Sequence, residues 1–366
     1  MNIVVIGSGM MGKAITYDLS KFSNFDKITL IDINKQNLQS AKKFLKGKNI
    51  EYLQLDIKKD IKIKKVFKNS DIAISAIPYT FNYNLSKIAI DNHTNFLDLG
   101  GNNDIVKKER NLKTKAKQNK VIVIPDCGLA PGLTSIIAKD IVEKMTEVKY
   151  IKIRVGGLPL KPVPPLNYQI VFSPYGLINE YVEESIILNQ GNIIKKPSMT
   201  ELEEISFPKP FGIMEAFLTS GGCSTLPYTY KNKIGYLDYK TVRYKGHCDR
   251  FKPLLKINPR NKLVDYLKNN LPKNDKDVVL LKVVSKGFKN DIDTKIEYIM
   301  IDYYDTQNNI TSMMRTTAYP TSIIAIMIER NIIDKKGVFC PEEVVPCETF
   351  FKELKKRNIK IQKETK

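Results

Sequence analysis

The chain has 366 residues, enough for two sizeable domains, and with 42% apolar and 27% charged residues it has the composition of a soluble globular protein. Its formal charge of +20 comes from lysines spread over helix surfaces and mixed with Asp and Glu, without an arginine-rich arm or an aromatic RNA-binding motif, so no nucleic-acid partner is expected. The apolar run Ile323 to Ile328 is far shorter than the roughly 20 residues of a membrane span, and a strand starting at the second residue leaves no room for a secretory signal, so no membrane partner and a cytoplasmic location are expected.

Ile3 to Ile6 is a short apolar run that predicts a buried strand, and Gly7-Ser8-Gly9-Met10-Met11-Gly12 follows it directly, ahead of a helix over Lys13 to Phe22. In such a strand–turn–helix, Gly7 permits the tight turn, Gly9 lets a pyrophosphate approach the backbone, and Gly12 lets the helix pack close to the strand. The helix N-terminus then offers N–H groups and a partial positive charge to the phosphates. A second strand, Lys27 to Ile31, ends in Asp32, twenty residues beyond Gly12. A carboxylate there accepts hydrogen bonds from ribose hydroxyls and repels a 2′-phosphate. No arginine follows it, so NAD is the expected cofactor, with NADP not excluded.

Strands are predicted at Glu51 to Ile57, Asp71 to Ala76, Phe96 to Leu99 and Val121 to Ile124, separated by helices over Ile61 to Phe67, Asn82 to Asp91 and Asp104 to Lys117. Continuous apolar strands alternating with helices imply a parallel, doubly wound Rossmann sheet covered on both faces, with the cofactor across the carboxyl ends of its strands. A helix over Leu133 to Met145 carries an apolar stripe suited to packing on a sheet. From Val148 to about residue 315 the segments become strand-like and turn-rich (Val148 to Val155, Gln169 to Phe172, Ser185 to Leu188, Val278 to Val284, Ile296 to Tyr303), which predicts an α+β domain on an open, mainly antiparallel sheet. Helices over Ser322 to Arg330 and Glu348 to Arg357 complete the chain. The expected divisions are a dinucleotide-binding domain over 1–130, an inserted substrate-binding and dimerisation domain over 131–315, and C-terminal helices over 316–366 that pack back on the first. Five widely spaced cysteines without a C-x-x-C pair, and only two histidines, predict reduced thiols and no metal site.

Several blocks then occur in succession: Cys127-Gly128-Leu129-Ala130-Pro131-Gly132-Leu133-Thr134, Val155 to Pro159, Pro164 to Tyr168, Ser173 to Tyr181, Glu215 to Gly222, and Lys240 to His247. With these the chain resembles the saccharopine dehydrogenase family over nearly its whole length, and within it the lysine 6-dehydrogenase branch most. The resemblance implies oxidation of a carbon–nitrogen bond of an amino acid by hydride transfer to a nicotinamide, giving an imine. In the lysine 6-dehydrogenase branch the ε-carbon of lysine is oxidised and the semialdehyde closes to a cyclic piperideine carboxylate; the saccharopine branch acts on the secondary amine joining lysine and glutamate skeletons. It also implies that Ile77 and Pro78 lie near the nicotinamide ribose.

The residues themselves suit this chemistry. Asp126, at a strand's carboxyl end, either holds the substrate ammonium or accepts a proton, or else caps the helix that begins near Gly132. Arg243 and Lys240 suit a substrate carboxylate, Arg243 in the bidentate manner of a guanidinium, with a surface ion pair as the alternative. His247 is a candidate general base or substrate contact. Glu180 and Tyr181 either line the substrate pocket or pack at an interface. The substrate is then a small amino acid, and a homodimer is the expected assembly. A protein that binds NAD without turnover is the rival reading.

Overall fold

The computed structural model describes residues 1–366 apart from 48, 258 and 273–275. The chain divides into two compact units, Met1–Ile136 with Met314–Asn358, and Ile137–Met313 with Ile359–Lys366.

The first unit is a doubly wound parallel sheet. Its strands are β1 (Asn2–Ile6), β2 (Lys27–Asp32), β3 (Ile50–Gln54), β4 (Ile72–Ser75), β5 (Asn95–Asp98) and β6 (Ile122–Ile124). A seventh parallel strand, Gly337–Val338, pairs with β6 and was not foreseen. The order from one edge is β3, β2, β1, β4, β5, β6, then the late strand. Helices α1 (Met10–Phe22), α2 (Lys35–Phe44), α3 (Asp60–Lys68), α4 (Asn82–Asp91), α5 (Asn103–Arg110) and α6 (Lys113–Gln118) connect the strands. Strand order reverses between β1 and β4, which opens the crevice where nucleotides bind in sheets of this kind. One core cluster joins Val4, Ile6, Ala73, Phe96 and Val123 of the sheet to Phe67, Leu85 and Ala89 of the helices. Each such large apolar side chain contributes roughly 1.5–3 kcal/mol on leaving water. The expected single helix over Asp104 to Lys117 is broken at Asn111 and Leu112 into α5 and α6, where the Leu112 N–H turns back three residues to the Glu109 carbonyl in place of the four of an α-helix.

The second unit is built on a nine-stranded mixed sheet. Its strands include β7 (Glu147–Pro159), β8 (Ser185–Asn189), β9 (Asn192–Lys196), β10 (Glu203–Phe207), β11 (Gly212–Leu218), β12 (Ile234–Arg243), β13 (Asp277–Lys289) and β14 (Ile292–Tyr303). All pairings are antiparallel except that of β12 with β7. One edge of β12 is shared, by β8 at Tyr236 and Leu237 and by β11 from Lys240 to Arg243. Gln169 to Phe172, expected as a strand, is irregular: Ile170 N–H bonds to the Pro272 carbonyl, and Ser173 already caps the next helix. The last residues differ from expectation too. Ile361–Thr365 is a strand that pairs with β14, so the segment after Asn358 belongs to the second unit instead of continuing the C-terminal helices. Among the described residues no helix is long and apolar enough to cross a membrane.

A buried ion network ties the ends of the first unit together. Arg357 Nε donates to both Asp18 oxygens at 2.7 and 2.9 Å, and its Nη1 donates to Glu353 at 2.8 Å. Burial pushes the Asp18 carboxyl up to about 6 against the pull of Arg357 and Ser322. Removing one partner of a buried pair leaves the other charge uncompensated, which costs about 3–5 kcal/mol. Arg357→Ala is therefore expected to lower unfolding free energy by that amount in urea titrations, whereas a loss under about 1 kcal/mol, typical of exposed pairs, would contradict this assignment.

Candidate active site

The glycine turn of the first unit has the geometry its sequence predicts. Gly7 sits at φ +99°, and a Cβ on Gly12 would stand 1.7 Å from the Gly7 carbonyl oxygen. A Cβ on Gly9 would meet nothing within 4 Å, so open space lies above the turn. Gly9 is also the N-cap of α1 and supplies no side-chain cap, so the first-turn N–H groups of Met10, Met11 and Gly12 point to that space uncapped. Ile77, just beyond β4, packs beside the turn: its Cγ2 is 2.6 Å from the place of a Gly7 Cβ. Pro78 follows it as the N-cap of the short turn Tyr79–Phe81. These features fit a pyrophosphate-bearing cofactor.

Asp32 is more engaged than a bare ribose acceptor. Its Oδ2 accepts from both the Ser8 N–H and the Ser8 hydroxyl at 2.8 Å, and its Oδ1 accepts from the Asn34 N–H at 2.8 Å. Burial opposes ionisation, but the Asn34 and Ser8 hydrogen bonds outweigh it and hold the carboxyl below its usual range. The carboxylate therefore fixes the turn while ending β2.

Asp126 follows β6 in the left-handed region, at φ +63°, and is buried. Its Oδ1 lies 1.9 Å from the place of a Gly100 Cβ, so only glycine fits beneath it. It shares a buried corner with Asp98 and Glu109.

The second unit gathers Tyr181, Arg243 and His247 into one hydrogen-bonded chain. Arg243, at the carboxyl end of β12, donates through Nε to the Tyr181 hydroxyl at 2.8 Å and through Nη1 to the Val242 carbonyl at 2.9 Å. Tyr181 lies on α8 (here the helix Pro174–Val182) and is 2.9 Å from His247 Nε2. His247 Nδ1 lies 2.8 Å from the Leu166 carbonyl. A carbonyl only accepts, so Nδ1 carries the proton and Nε2 receives the tyrosine O–H. Rings of Tyr168, Tyr181, Phe217 and Phe251 surround the imidazole. Burial, then the Arg243 charge, push its pKa down to about 3. Both ring nitrogens are occupied and the ring is fully buried, which suits orientation of Tyr181 better than proton exchange.

Glu180, next to Tyr181 on α8, is half-buried, and its carboxyl receives no hydrogen bond among the described residues. Burial pushes it up to about 7, with Arg243 pulling the other way. The Arg243 Nη2 group likewise has no hydrogen-bond partner among the described residues.

Lys240 is not brought together with Arg243. The two are three apart on β12 and project to opposite faces. Lys240 Nζ instead donates to Glu203 at 2.9 Å and to the Glu201 carbonyl at 2.7 Å. On the same face, Arg154 forms a bidentate pair with Asp238 at 2.7 and 2.9 Å and also bonds Glu203. These charges neutralise one another.

Two residues of this site carried no sequence signal of a role. Tyr168 lies under the guanidinium, 4.8 Å from ring centroid to Cζ. Glu215 of β11 accepts from the Gly246 and Cys248 N–H groups at 2.7 and 2.6 Å and so fixes the turn that presents His247. Both sit in the quoted blocks, yet their contacts depend on strand pairings that no local pattern announces.

Family models match both parts of the chain: the saccharopine dehydrogenase NADP binding domain over residues 3–124 and the saccharopine dehydrogenase C-terminal domain over 128–359. The chain belongs to the saccharopine dehydrogenase family. Among curated relatives, the mitochondrial alpha-aminoadipic semialdehyde synthase of Mus musculus is 23% identical over 274 residues, covering 70% of this chain and 28% of that protein. Saccharopine dehydrogenase [NADP(+), L-glutamate-forming] of Pyricularia oryzae is 23% identical over 330 residues, covering 86% of this chain and 70% of that one. The chain therefore spans little more than a quarter of the synthases it matches. The apo saccharopine dehydrogenase (L-Glu forming) structure from Saccharomyces cerevisiae shares the fold, with a TM-score of 0.81 at 19% identity over 100% of this chain and 99% of that one.

The occupied ring nitrogens lead to a direct check. Nitrogen-15 spectra of His247 should show a neutral, Nδ1-protonated ring throughout about pH 5 to pH 8, the window in which an unperturbed histidine changes charge. A midpoint at histidine's usual value would contradict the assignment.

Proposed function

We propose that this chain is a nicotinamide-dependent oxidoreductase of lysine metabolism that oxidises a carbon–nitrogen bond of an amino acid to an imine. The observation that carries the reading is the open glycine turn of the doubly wound sheet; the second unit separately holds a buried arginine braced by Tyr181. When bound, the nicotinamide supplies the hydride acceptor. The uncapped first turn of α1 binds its phosphates, and Asp32 receives the ribose hydroxyls while repelling a 2′-phosphate, which favours NAD. The Pyricularia oryzae relative is named for NADP(+) and the matching domain model for NADP, so the cofactor is to be tested with both dinucleotides.

In the second unit, Arg243 receives the substrate carboxylate through its remaining Nη2 donor. Tyr181 and His247 hold the guanidinium in place. Glu180 attracts the substrate's ammonium and, once ionised above about pH 7, neutralises it beside Arg243. Asp126 takes the proton that the amine must lose before its carbon can yield hydride. Saccharopine is the first substrate to test, following the names of the relatives; lysine is second, following the resemblance to the lysine 6-dehydrogenase branch. A small amino-acid substrate, a homodimer and a cytoplasmic location belong to the same reading.

The test is a panel of saccharopine, lysine and related amines with NAD and with NADP, followed by absorbance of the reduced ring. One amino acid of the panel should reduce the cofactor, and binding without reduction by any of them would favour an NAD-sensing protein. Asp32→Ala should weaken NAD and narrow its advantage over NADP by about tenfold, the effect of one charge-assisted interaction worth about 1.4 kcal/mol. Unchanged cofactor preference would refute the role of that carboxylate.

A further inference from the structure

Glu109 lies on α5, a helix whose neighbouring residues are basic, yet its side chain is fully buried. Neither of its carboxyl oxygens receives a hydrogen bond from an N–H or hydroxyl among the described residues. The group it meets is another carboxyl, that of Asp98 at the end of β5, also fully buried. Two ionised carboxylates cannot hydrogen-bond, and a lone buried carboxylate without donors is prohibitively costly, so a proton must lie between them. Among the described residues, the charged and titratable groups facing the pair are Asp126 and the buried Cys127 thiol, neither of which supplies a positive charge. Arg110, next in the chain, turns elsewhere and pairs with Glu343 at 2.7 Å.

Asp98 also fixes the backbone around it. Its Oδ1 accepts from the Gly100 N–H at 2.6 Å, and its carbonyl accepts from the Cys127 N–H at 2.8 Å. Gly100 in turn is the surface against which Asp126 Oδ1 rests. The turns after β5 and β6 are thereby joined through one residue.

We propose that Glu109 and Asp98 hold a single shared proton and that this pair is the positioning element that sets Asp126 for its role. Glu109 is the neutral donor, Asp98 the acceptor, and the proton is not transferred to substrate. The proton is argued from the buried, donor-less oxygens Oε1 and Oε2 of Glu109 and Oδ2 of Asp98; its bearing on Asp126 rests on the function proposed above. Burial and the neighbouring Asp98 and Asp126 charges hold Glu109 far above the carboxylate range. The folded state therefore keeps a proton that the unfolded chain releases, and stability falls as pH rises above the unfolded glutamate range.

Infrared spectroscopy at about pH 9, where Glu180, pushed up to about 7, is ionised, tests this without any turnover. The wild-type chain should show the C=O stretch of a protonated carboxylic acid, absent from Glu109→Gln, and carboxyl-13C glutamate labelling should shift that band in the wild type even if the variant does not fold. A labelled spectrum containing only carboxylate bands would overturn the shared proton. Between about pH 6 and about pH 9, wild-type melting temperature should fall more steeply than that of Glu109→Gln, which has no proton to lose. For the positioning role, Glu109→Leu should lower the amine-oxidation rate about tenfold or more, while Glu109→Gln, which still donates to Asp98, restores it. Equal rates in both variants would overturn that role while leaving the proton in place.

Discussion

Everything in the first unit that can receive a cofactor depends on one close approach, that of the α1 backbone to the end of β1. The Gly12 Cα faces the Gly7 carbonyl so tightly that a single methyl group would overlap it. Asp32 closes the arrangement from the neighbouring strand by holding both the N–H and the hydroxyl of Ser8. A turn gripped in this way keeps its donors aimed outward before any ligand arrives, so little ordering cost remains to be met on binding. Ile77 at the end of β4 sets the other wall of the crevice.

The second unit solves a different problem, that of keeping an arginine buried. Arg243 spends two donors on Tyr181 and Val242, rests on the Tyr168 ring, and is faced by Glu180. His247 completes the support by accepting from Tyr181 while its other nitrogen is anchored to Leu166. A neutral histidine is needed here, because a cation would repel the guanidinium it helps to hold.

The first unit was largely legible in the sequence, because strands covered on both faces read as unbroken apolar runs and the glycine motif sits where β1 must end. The strand at Gly337–Val338 was not, since two residues arriving from far along the chain leave no periodic trace. Ile361–Thr365 escaped for the same reason: its pairing with β14 is non-local, and its own residues are mostly polar. In the site, residue types were readable and their facing was not. Lys240 and Arg243 look like partners in one block, yet once β12 extends through both, their odd spacing sends them to opposite faces. Glu109 was hidden among lysines that made its helix look wholly solvated, and Glu215 and Tyr168 act across strand pairings that only the fold creates.

The central claim, that the Gly7 to Gly12 turn seats a dinucleotide, is tested most directly by titrating reduced nicotinamide dinucleotide into the wild type and Gly9→Val while following ligand fluorescence. A side chain at Gly9 enters open space at negative φ, so the fold and melting temperature should be unchanged. It occupies the room a pyrophosphate needs, so affinity should fall by about a hundredfold or more, roughly 3 kcal/mol. Equal affinity in the two proteins would contradict the account.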